Sequence, residues 1–261
     1  MPVLPMIKPS SPSESSSVLM RAAGAHRFKT NQGDLVLMPD GSVFDPVTSS
    51  LMVADVHVGK AEVFRRSGVP VPAMTSSQTL HRLSGSIAAC RPNSLIVLGD
   101  LIHGRLPATH PVFDLLAAWR EQHRGVTVSL LRGNHDHRSG DPPSHCGIEI
   151  WPAGQMLGNW QLCHEPDEAL PGKGIAICGH VHPVIRLRSA HDALRVRCFW
   201  SRPGLLVVPA FGVFTGGHAI SPDDTDQVFV LDGQNVRALP MSKHSRRRDR
   251  TRTTIKNNKT R

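Results

Sequence analysis

The chain has 261 residues, enough for one large domain or two small ones, and 39% hydrophobic with 20% charged residues is ordinary for a soluble globular protein. No run of 18 apolar residues occurs, so a membrane-spanning helix is excluded. The five cysteines form no C-x-x-C pair, which argues against a disulfide scaffold or a zinc finger. A reducing, cytoplasmic setting is therefore expected.

The net charge of +9 is concentrated at one end of the chain. Residues 241–261 contain nine Lys or Arg and a single acid, Asp249, which gives this segment a charge of +8. We interpret it as a disordered basic tail that contacts nucleic acid, with a solvated terminus of no function as the alternative. Residues 1–24 are rich in Ser and Pro and are also predicted to be disordered. One domain is expected over 25–240, and its oligomeric state stays open.

The first half of this domain alternates apolar runs with helical patterns. Short runs over 35–38 and 43–45 flank Pro39-Asp40-Gly41 and predict a hairpin. The order then predicts a parallel sheet with right-handed crossovers, because strands alternate with helices. The expected elements are strands over 51–54, 95–98 and 126–131, and helices over 74–89 and 112–122.

The second half of the domain has a different pattern. Its apolar runs are short, Gly, Pro or Asp separates them, and no helix of comparable length is indicated. A two-sheet sandwich flanked by helices would accommodate both halves. The expected strands cover 161–164, 175–178, 194–200, 205–209, 228–231 and 236–239.

Side chains able to bind metal ions follow five of the predicted strands. In open α/β sheets, sites form beyond the carboxyl ends of the strands, so we expect these residues to converge. Four imidazoles, two carboxylates and one amide suit two adjacent ions of Mn, Fe or Zn better than one ion. Each residue alone also fits a solvated loop or a turn, and the prediction depends on their joint occurrence. The residues are Asp55, His57, Asp100, Asn134, His164, His180 and His182.

The same residues lie in five blocks that resemble the motifs of calcineurin-like metallophosphoesterases, in the order expected for them. The resemblance implies an α/β fold, a four-layer α/β/β/α sandwich. Segments 55–70 and 209–217 are also similar to bacterial ligase-associated DNA-damage-response phosphoesterases, which implies DNA repair, with a DNA ligase or helicase as partner. The blocks are Asp55-Val56-His57, Gly99-Asp100, Gly133-Asn134-His135-Asp136, His164 and Gly179-His180-Val181-His182.

This resemblance implies a role for each residue around two divalent ions, with manganese expected and iron or zinc as alternatives. A hydroxide bridging the ions would attack phosphorus, and His135 would protonate the leaving oxygen as the general acid. Asp136 would orient His135 by accepting its second N–H, or would instead cap the next turn. Asp100 would bridge the two ions. The first ion would be held by Asp55, His57 and His182, and the second by Asn134, His164 and His180.

Basic residues that follow the first two metal loops are candidates for contact with substrate phosphate, because cationic side chains suit phosphate oxygens. Surface salt bridges are the alternative for each of them, and His103 is the best candidate because it lies at the rim of the metal site. These residues are Lys60, Arg65, Arg66, His103 and Arg105.

The expected function is hydrolysis of phosphodiester bonds of nucleic acid in DNA repair. One alternative is a phosphomonoesterase or phosphoprotein phosphatase that uses the same site. Two others are a non-catalytic interaction module and a nucleic-acid-binding protein whose tail is its function. Retention of His135 and of all seven expected ligands argues against the non-catalytic module.

Overall fold

The computed structural model describes residues 23–72, 74–188 and 193–240. The predicted basic tail over 241–261 lies outside the described residues, as does the predicted disordered segment except for its last two positions. No helix among the described residues is both long and apolar enough to cross a membrane.

The first sheet has seven strands in chain order and contains the predicted parallel region. Strands β1 to β4 form an antiparallel meander that includes the predicted hairpin. Strands β4 to β7 are parallel, so their carboxyl ends meet at one edge of the sheet. The strands are β1 (His26–Thr30), β2 (Gly33–Leu37), β3 (Val43–Asp45), β4 (Ser50–Val53), β5 (Ser94–Leu98), β6 (Thr127–Leu131) and β7 (Glu149–Trp151).

Helices α1 (Lys60–Arg66), α2 (Thr75–Cys90), α3 (Pro111–Gln122) and α4 (Asn134–Ser139) follow strands of this sheet. The two long helices were predicted, because their apolar residues recur at helical spacing. Leu80, Leu83 and Ile87 of α2 are buried together with the sheet's residues. The short helices α1 and α4 were not predicted, because they contain too few residues to show a helical repeat of apolar positions.

The second sheet is built from the short strands of the second half. Its strands β9, β10 and β13 are parallel neighbours, and the other pairings are antiparallel except for that of β11 with β14. The strands are β8 (Gln155–Leu157), β9 (Trp160–Leu162), β10 (Ile175–Cys178), β11 (Pro183–Arg188), β12 (Ala193–Arg202), β13 (Leu205–Val207), β14 (His218–Ala219), β15 (Gln227–Leu231) and β16 (Val236–Leu239).

Two apolar layers hold the fold together. One lies between the first sheet and helices α2 and α3. The other lies between the two sheets, where Met52, Ile96 and Leu98 of the first face Ile177 and Phe199 of the second. The outer face of the second sheet carries a smaller cluster against which Ala169 packs, just after the 3₁₀ turn Pro166–Glu168. The predicted metallophosphoesterase sandwich is thereby confirmed.

The sheets meet at the edge where β4 and β13 end. Ala54 and Ala210 form an isolated parallel bridge there, so the segment after β13 runs beside the segment after β4. The loops that follow β4, β5, β6, β9 and β10 carry all seven expected metal ligands.

Candidate metal centre

The expected ligands form a single cluster at this edge. Donor atoms of Asp55, His57 and His182 lie within 4.8 Å of one another, and so do those of Asp55, Asp100 and His164. Asn134 joins the cluster because its Oδ1 is 3.2 Å from His164 Nε2. The loops at the ends of the strands therefore bring the expected ligands close together, as the sequence predicts.

The first ligand group combines one carboxylate with two imidazoles. His182 Nε2 lies 3.1 Å from Asp55 Oδ1, a buried oxygen that accepts no well-aligned hydrogen bond from the described residues. Burial lowers the pKa of His57 well below its usual range, and the charge of Lys60 adds to this effect. His57 is therefore neutral and keeps a nitrogen lone pair available for a cation.

The second ligand group lies around Asn134. His180 Nδ1 is 3.2 Å from Asn134 Oδ1 and 3.2 Å from His164 Nε2. The other ring nitrogen of His164, Nδ1, donates to the carbonyl oxygen of Leu98 at 2.9 Å. This bond fixes the tautomer, so the Nε2 lone pair of His164 faces Asn134 and His180.

Asp100 lies between the two groups and presents one oxygen to each. Its Oδ1 is 3.5 Å from His164 Nε2, and its Oδ2 is 3.9 Å from His57 Nε2. The amide N–H of His135 donates to Oδ1 at 2.9 Å and helps to hold the carboxylate in place. Burial raises the pKa of Asp100, and the nearby Asp55 carboxylate acts in the same direction.

The backbone of the ligand loops is strained where it turns side chains into the cluster. Eight described non-glycine residues have positive φ, and five of them are expected ligands. Non-glycine residues rarely adopt this conformation, and strain of this kind concentrates at functional sites. The five are Asp55 (φ 55°), His57 (52°), Asp100 (55°), His180 (65°) and His182 (50°).

Backbone hydrogen bonds tie these loops together. The amides of His57 and Val58 donate to the carbonyls of Asp100 and Leu101 at 2.9 and 2.8 Å. The amide of His180 donates to Asp55 Oδ2 at 3.0 Å. The loops after β4, β5 and β10 are therefore fixed to each other by hydrogen bonds within the protein.

His135 lies in the cluster, but its orienting partner differs from the predicted one. Its Nδ1 is 2.7 Å from the carbonyl oxygen of His103. The Asp136 carboxylate instead accepts the amides of Ile102 and Gly133, both at 2.9 Å, and that of Leu101 at 3.3 Å. The prediction that Asp136 accepts the second N–H of His135 is therefore wrong. Asp136 instead caps the turn into α4, as in the alternative interpretation, because its carboxylate is taken up by these three amides.

Two of the predicted substrate-contact residues lie against the cluster. His103 stacks on His135 with ring centroids 4.5 Å apart, and its Nδ1 is 3.3 Å from His57 Nδ1. Burial lowers the pKa of His103 to about 4, with Lys60 as the next cause. Burial also lowers the pKa of Lys60, while the charges of Asp55 and Asp100 partly offset the effect.

The three predicted arginine contacts are placed differently. Arg65 donates to the carbonyls of Val71 and Pro72 and pairs with Glu62, so its guanidinium is already engaged. Arg66 and Arg105 are exposed. Within the described ranges, no hydrogen bond or ion pair joins any of the three arginines to a ligand of the cluster.

Two contributors to the site were not predicted. Glu165 groups with His164 and His180 as a possible ligand, and its Oε1 is 3.8 Å from His180 Nδ1. Its position directly after His164 was the available signal. The carbonyl of Leu98, which orients His164, gave no signal because every residue has such a carbonyl.

These residues fit a pair of divalent cations. Asp55 and Asp100 are buried, and among the described residues neither forms an ion pair with a Lys or Arg. Buried charges of one sign are costly unless an opposite charge or a metal compensates them. The mixed oxygen and imidazole donors suit Mn, Fe or Zn.

The sequence model of the calcineurin-like phosphoesterase family matches residues 49–202, more than half of the chain. The chain belongs to this family. It is accordingly a metal-dependent phosphoesterase, and its Asp and His clusters are able to hold metal ions. The family that the five motifs predict is therefore confirmed.

The fold is also similar to that of the nuclease MPE from Pseudomonas putida. The two chains are 33% identical with a TM-score of 0.72, and the match covers 82% of this chain and 100% of MPE. YfcE, a phosphoesterase from E. coli, aligns at 15% identity over 72% of this chain and 95% of its own, with a TM-score of only 0.36. No curated protein sequence matches the chain.

Gly133→Ala tests how tightly the cluster is built. A Cβ at Gly133 would lie 2.2 Å from Asp100 Oδ1 and 2.8 Å from His164 Nε2, although φ of −91° is normal for alanine. We expect metal affinity to fall by roughly 10–100-fold, as for other changes that displace ligands. Metal content measured by elemental analysis checks this.

The matched control for that variant is Gly85→Ala in α2. A Cβ there meets nothing within 4 Å, and alanine favours a helix interior by up to about 1 kcal/mol. Metal content should stay at the wild-type level and stability should rise. Equal metal affinity in the two variants would contradict the steric argument.

Asp100→Ala should remove more metal than any single histidine change, because Asp100 presents one oxygen to each ligand group. Elemental analysis of purified protein should find both ions depleted in Asp100→Ala. His182→Ala should deplete mainly one ion, because His182 contacts only the Asp55 side. Identical metal stoichiometry in the two variants would show that Asp100 is not shared.

Proposed function

We propose that this phosphoesterase hydrolyses phosphodiester bonds in nucleic acid. The observation that carries the proposal is the pair of ligand groups joined by one carboxylate, in a chain 33% identical to a nuclease over that nuclease's whole length. The expected role in DNA repair, with ligase or helicase partners, stays a prediction from the sequence resemblance.

The residues have separate tasks in this proposal. Asp55, His57 and His182 would hold one ion, Asn134, His164 and His180 would hold the other, and Asp100, which lies between the two groups, would serve both. Two ions bound there would supply positive charge that activates water and neutralises phosphoryl oxygens. Leu98 and His103 orient the histidine rings through the bonds described above.

His135 supplies the proton to the leaving oxygen. Its Nδ1 is committed to the carbonyl of His103 at 2.7 Å, so Nε2 is the atom left to exchange a proton. Nε2 is 3.9 Å from Asp100 Oδ2, and 30% of the side chain is exposed, so the atom faces both the cluster and entering substrate. An imidazole in this position suits general-acid catalysis.

Hydrolysis assays with metal removal test the proposed function. We expect the purified protein to cleave bis-p-nitrophenyl phosphate and a DNA oligonucleotide faster than p-nitrophenyl phosphate, because the proposed substrate is a diester. Chelation should abolish all hydrolysis, and Mn²⁺ should restore it. Preference for the monoester would favour the phosphatase alternative, and chelator-insensitive cleavage would exclude the metal-dependent mechanism.

His135→Ala should lower kcat by roughly 10²–10⁴, the range for a lost general acid. The loss should be smaller for esters of p-nitrophenol than for DNA, because a good leaving group needs little protonation. Metal content should be close to that of the wild type. An equal loss of kcat on both substrates would assign His135 to phosphate binding instead.

A further inference from the structure

A pocket of about 360 Å³ lies beside residues 210–212, the segment whose amides donate to Ala54 and Asp55. It opens between the turn after β2 and the side chains of α2 and β12. Its charged residues are Asp40, Arg82 and Arg197, and Met38, Pro39 and Ala89 supply apolar walls. None of these residues has a task in the proposed hydrolysis.

The pocket has an excess of positive charge. Arg82 and Arg197 are both half-buried, and Asp40 is the only carboxylate among the lining residues. The oxygens of Asp40 are already bonded, Oδ1 to Ser42 and Oδ2 to Ser86. In the part of the chain that the structure describes, no ion pair joins either arginine to a carboxylate.

The two guanidiniums also have spare hydrogen-bond donors. Each carries five N–H groups. Arg82 donates to the carbonyls of Phe211, at 2.7 Å, and Asp40, and Arg197 donates to the carbonyl of Ala210 at 3.0 Å. The described residues therefore satisfy a minority of these donors, although both side chains are half-buried.

The charges of Arg82 and Arg197 also favour an anion in this pocket. Burial lowers the pKa of Arg82 to about 10, and the charge of Arg197 adds to the lowering. Burial lowers the pKa of Arg197 as well, and the Asp40 carboxylate partly offsets the lowering at both arginines. Two partly desolvated positive charges beside one carboxylate leave the lining residues with a net positive charge, which favours a further anion in the pocket.

We propose that this pocket binds a phosphate group. Guanidinium forks match phosphate oxygens, and two forks supply more donors than a carboxylate can accept. The group is either a phosphate of the nucleic-acid substrate away from the scissile bond or free inorganic phosphate. The first of these sources rests on the proposed function, and the second does not.

The pocket is physically connected to the metal centre. Phe211, whose carbonyl is held by Arg82, donates its amide to Ala54 at 2.8 Å, and the next amide, that of Gly212, donates to Asp55 at 3.1 Å. One peptide segment thus separates the arginines from the first ligand loop. In this proposal, a nucleic-acid strand held at the metal centre would place a further phosphate in the pocket.

Arg197→Gln tests the substrate source. Glutamine keeps one amide donor for the Ala210 carbonyl but removes the charge and the fork. KM for a DNA oligonucleotide should rise about tenfold or more, the effect of losing charge-assisted bonds to a phosphate. The kinetics on bis-p-nitrophenyl phosphate, which reaches only the metal centre, should stay within about twofold of the wild type.

Arg186→Gln is the matched control, because Arg186 is exposed on the neighbouring strand β11 and does not line the pocket. It removes the same charge and should leave both KM values unchanged. If Arg197→Gln loses metal or unfolds at a lower temperature, Arg197→Lys replaces it, since lysine retains the charge but has no fork.

Calorimetry tests the other source independently of turnover. Metal-loaded wild type titrated with inorganic phosphate should show, besides binding at the metal centre, a second binding event that Arg197→Gln loses and Arg186→Gln keeps. Loss of this event in Arg197→Gln supports binding of free inorganic phosphate in the pocket. A selective rise in KM for DNA supports binding of a phosphate of the nucleic-acid substrate. An unchanged isotherm together with an unchanged KM overturns the proposal. A parallel loss of activity on DNA and bis-p-nitrophenyl phosphate also overturns it, because the arginines would then only position residues 210–212.

Discussion

Two buried carboxylates set the main constraint on this structure. Asp55 and Asp100 are 0% and 2% exposed, and both lie in one cluster with His164. Ionised carboxylates in a protein interior cost several kcal/mol each unless cations compensate them. Among the described residues, imidazoles rather than ion-paired Lys or Arg lie next to these carboxylates, which leaves the compensating charge to bound metal. The strained ligand loops persist because the surrounding sheets and amides over-determine them.

The sheets meet this constraint through their parallel edges. Strands β4, β5 and β6 end side by side, and β9 and β10 end opposite them, so five short loops reach one volume. Asp136 then uses its whole carboxylate to bind amides at the start of α4 and in the loop after β5. Asp136 thus stabilises the backbone that positions its neighbour His135. Glycine at 133 is required for a related reason, because Asp100 and His164 occupy the space of its side chain.

The parts of the molecule that the sequence predicted are those with local periodicity or a dense motif. Leu80, Leu83 and Ile87 indicate α2 through their spacing, and the ligand types after each strand indicate a metal cluster. Contacts formed only in three dimensions gave no such signal. The carbonyl of His103, which replaces Asp136 as the partner of His135, is invisible in sequence. Arg65 was a reasonable candidate for phosphate contact by position, but the carbonyls of Val71 and Pro72 compete for its guanidinium.

Charge distribution decides how the folded domain could hold a polyanion. Of the chain's net charge of +9, residues 241–261 carry +8, so the remainder carries only +1. A domain with a net charge so close to zero attracts a polyanion only weakly at long range. Dissolved salt screens this attraction further. Affinity within the domain must then come from a few cations placed at close range. Lys60, whose charge interacts with Asp55, and the Arg82–Arg197 pair, which bonds to the carbonyls of Phe211 and Ala210, are such cations. Cations outside the metal centre would contact further phosphates of a nucleic-acid strand, whereas a small phosphomonoester would use only the centre itself.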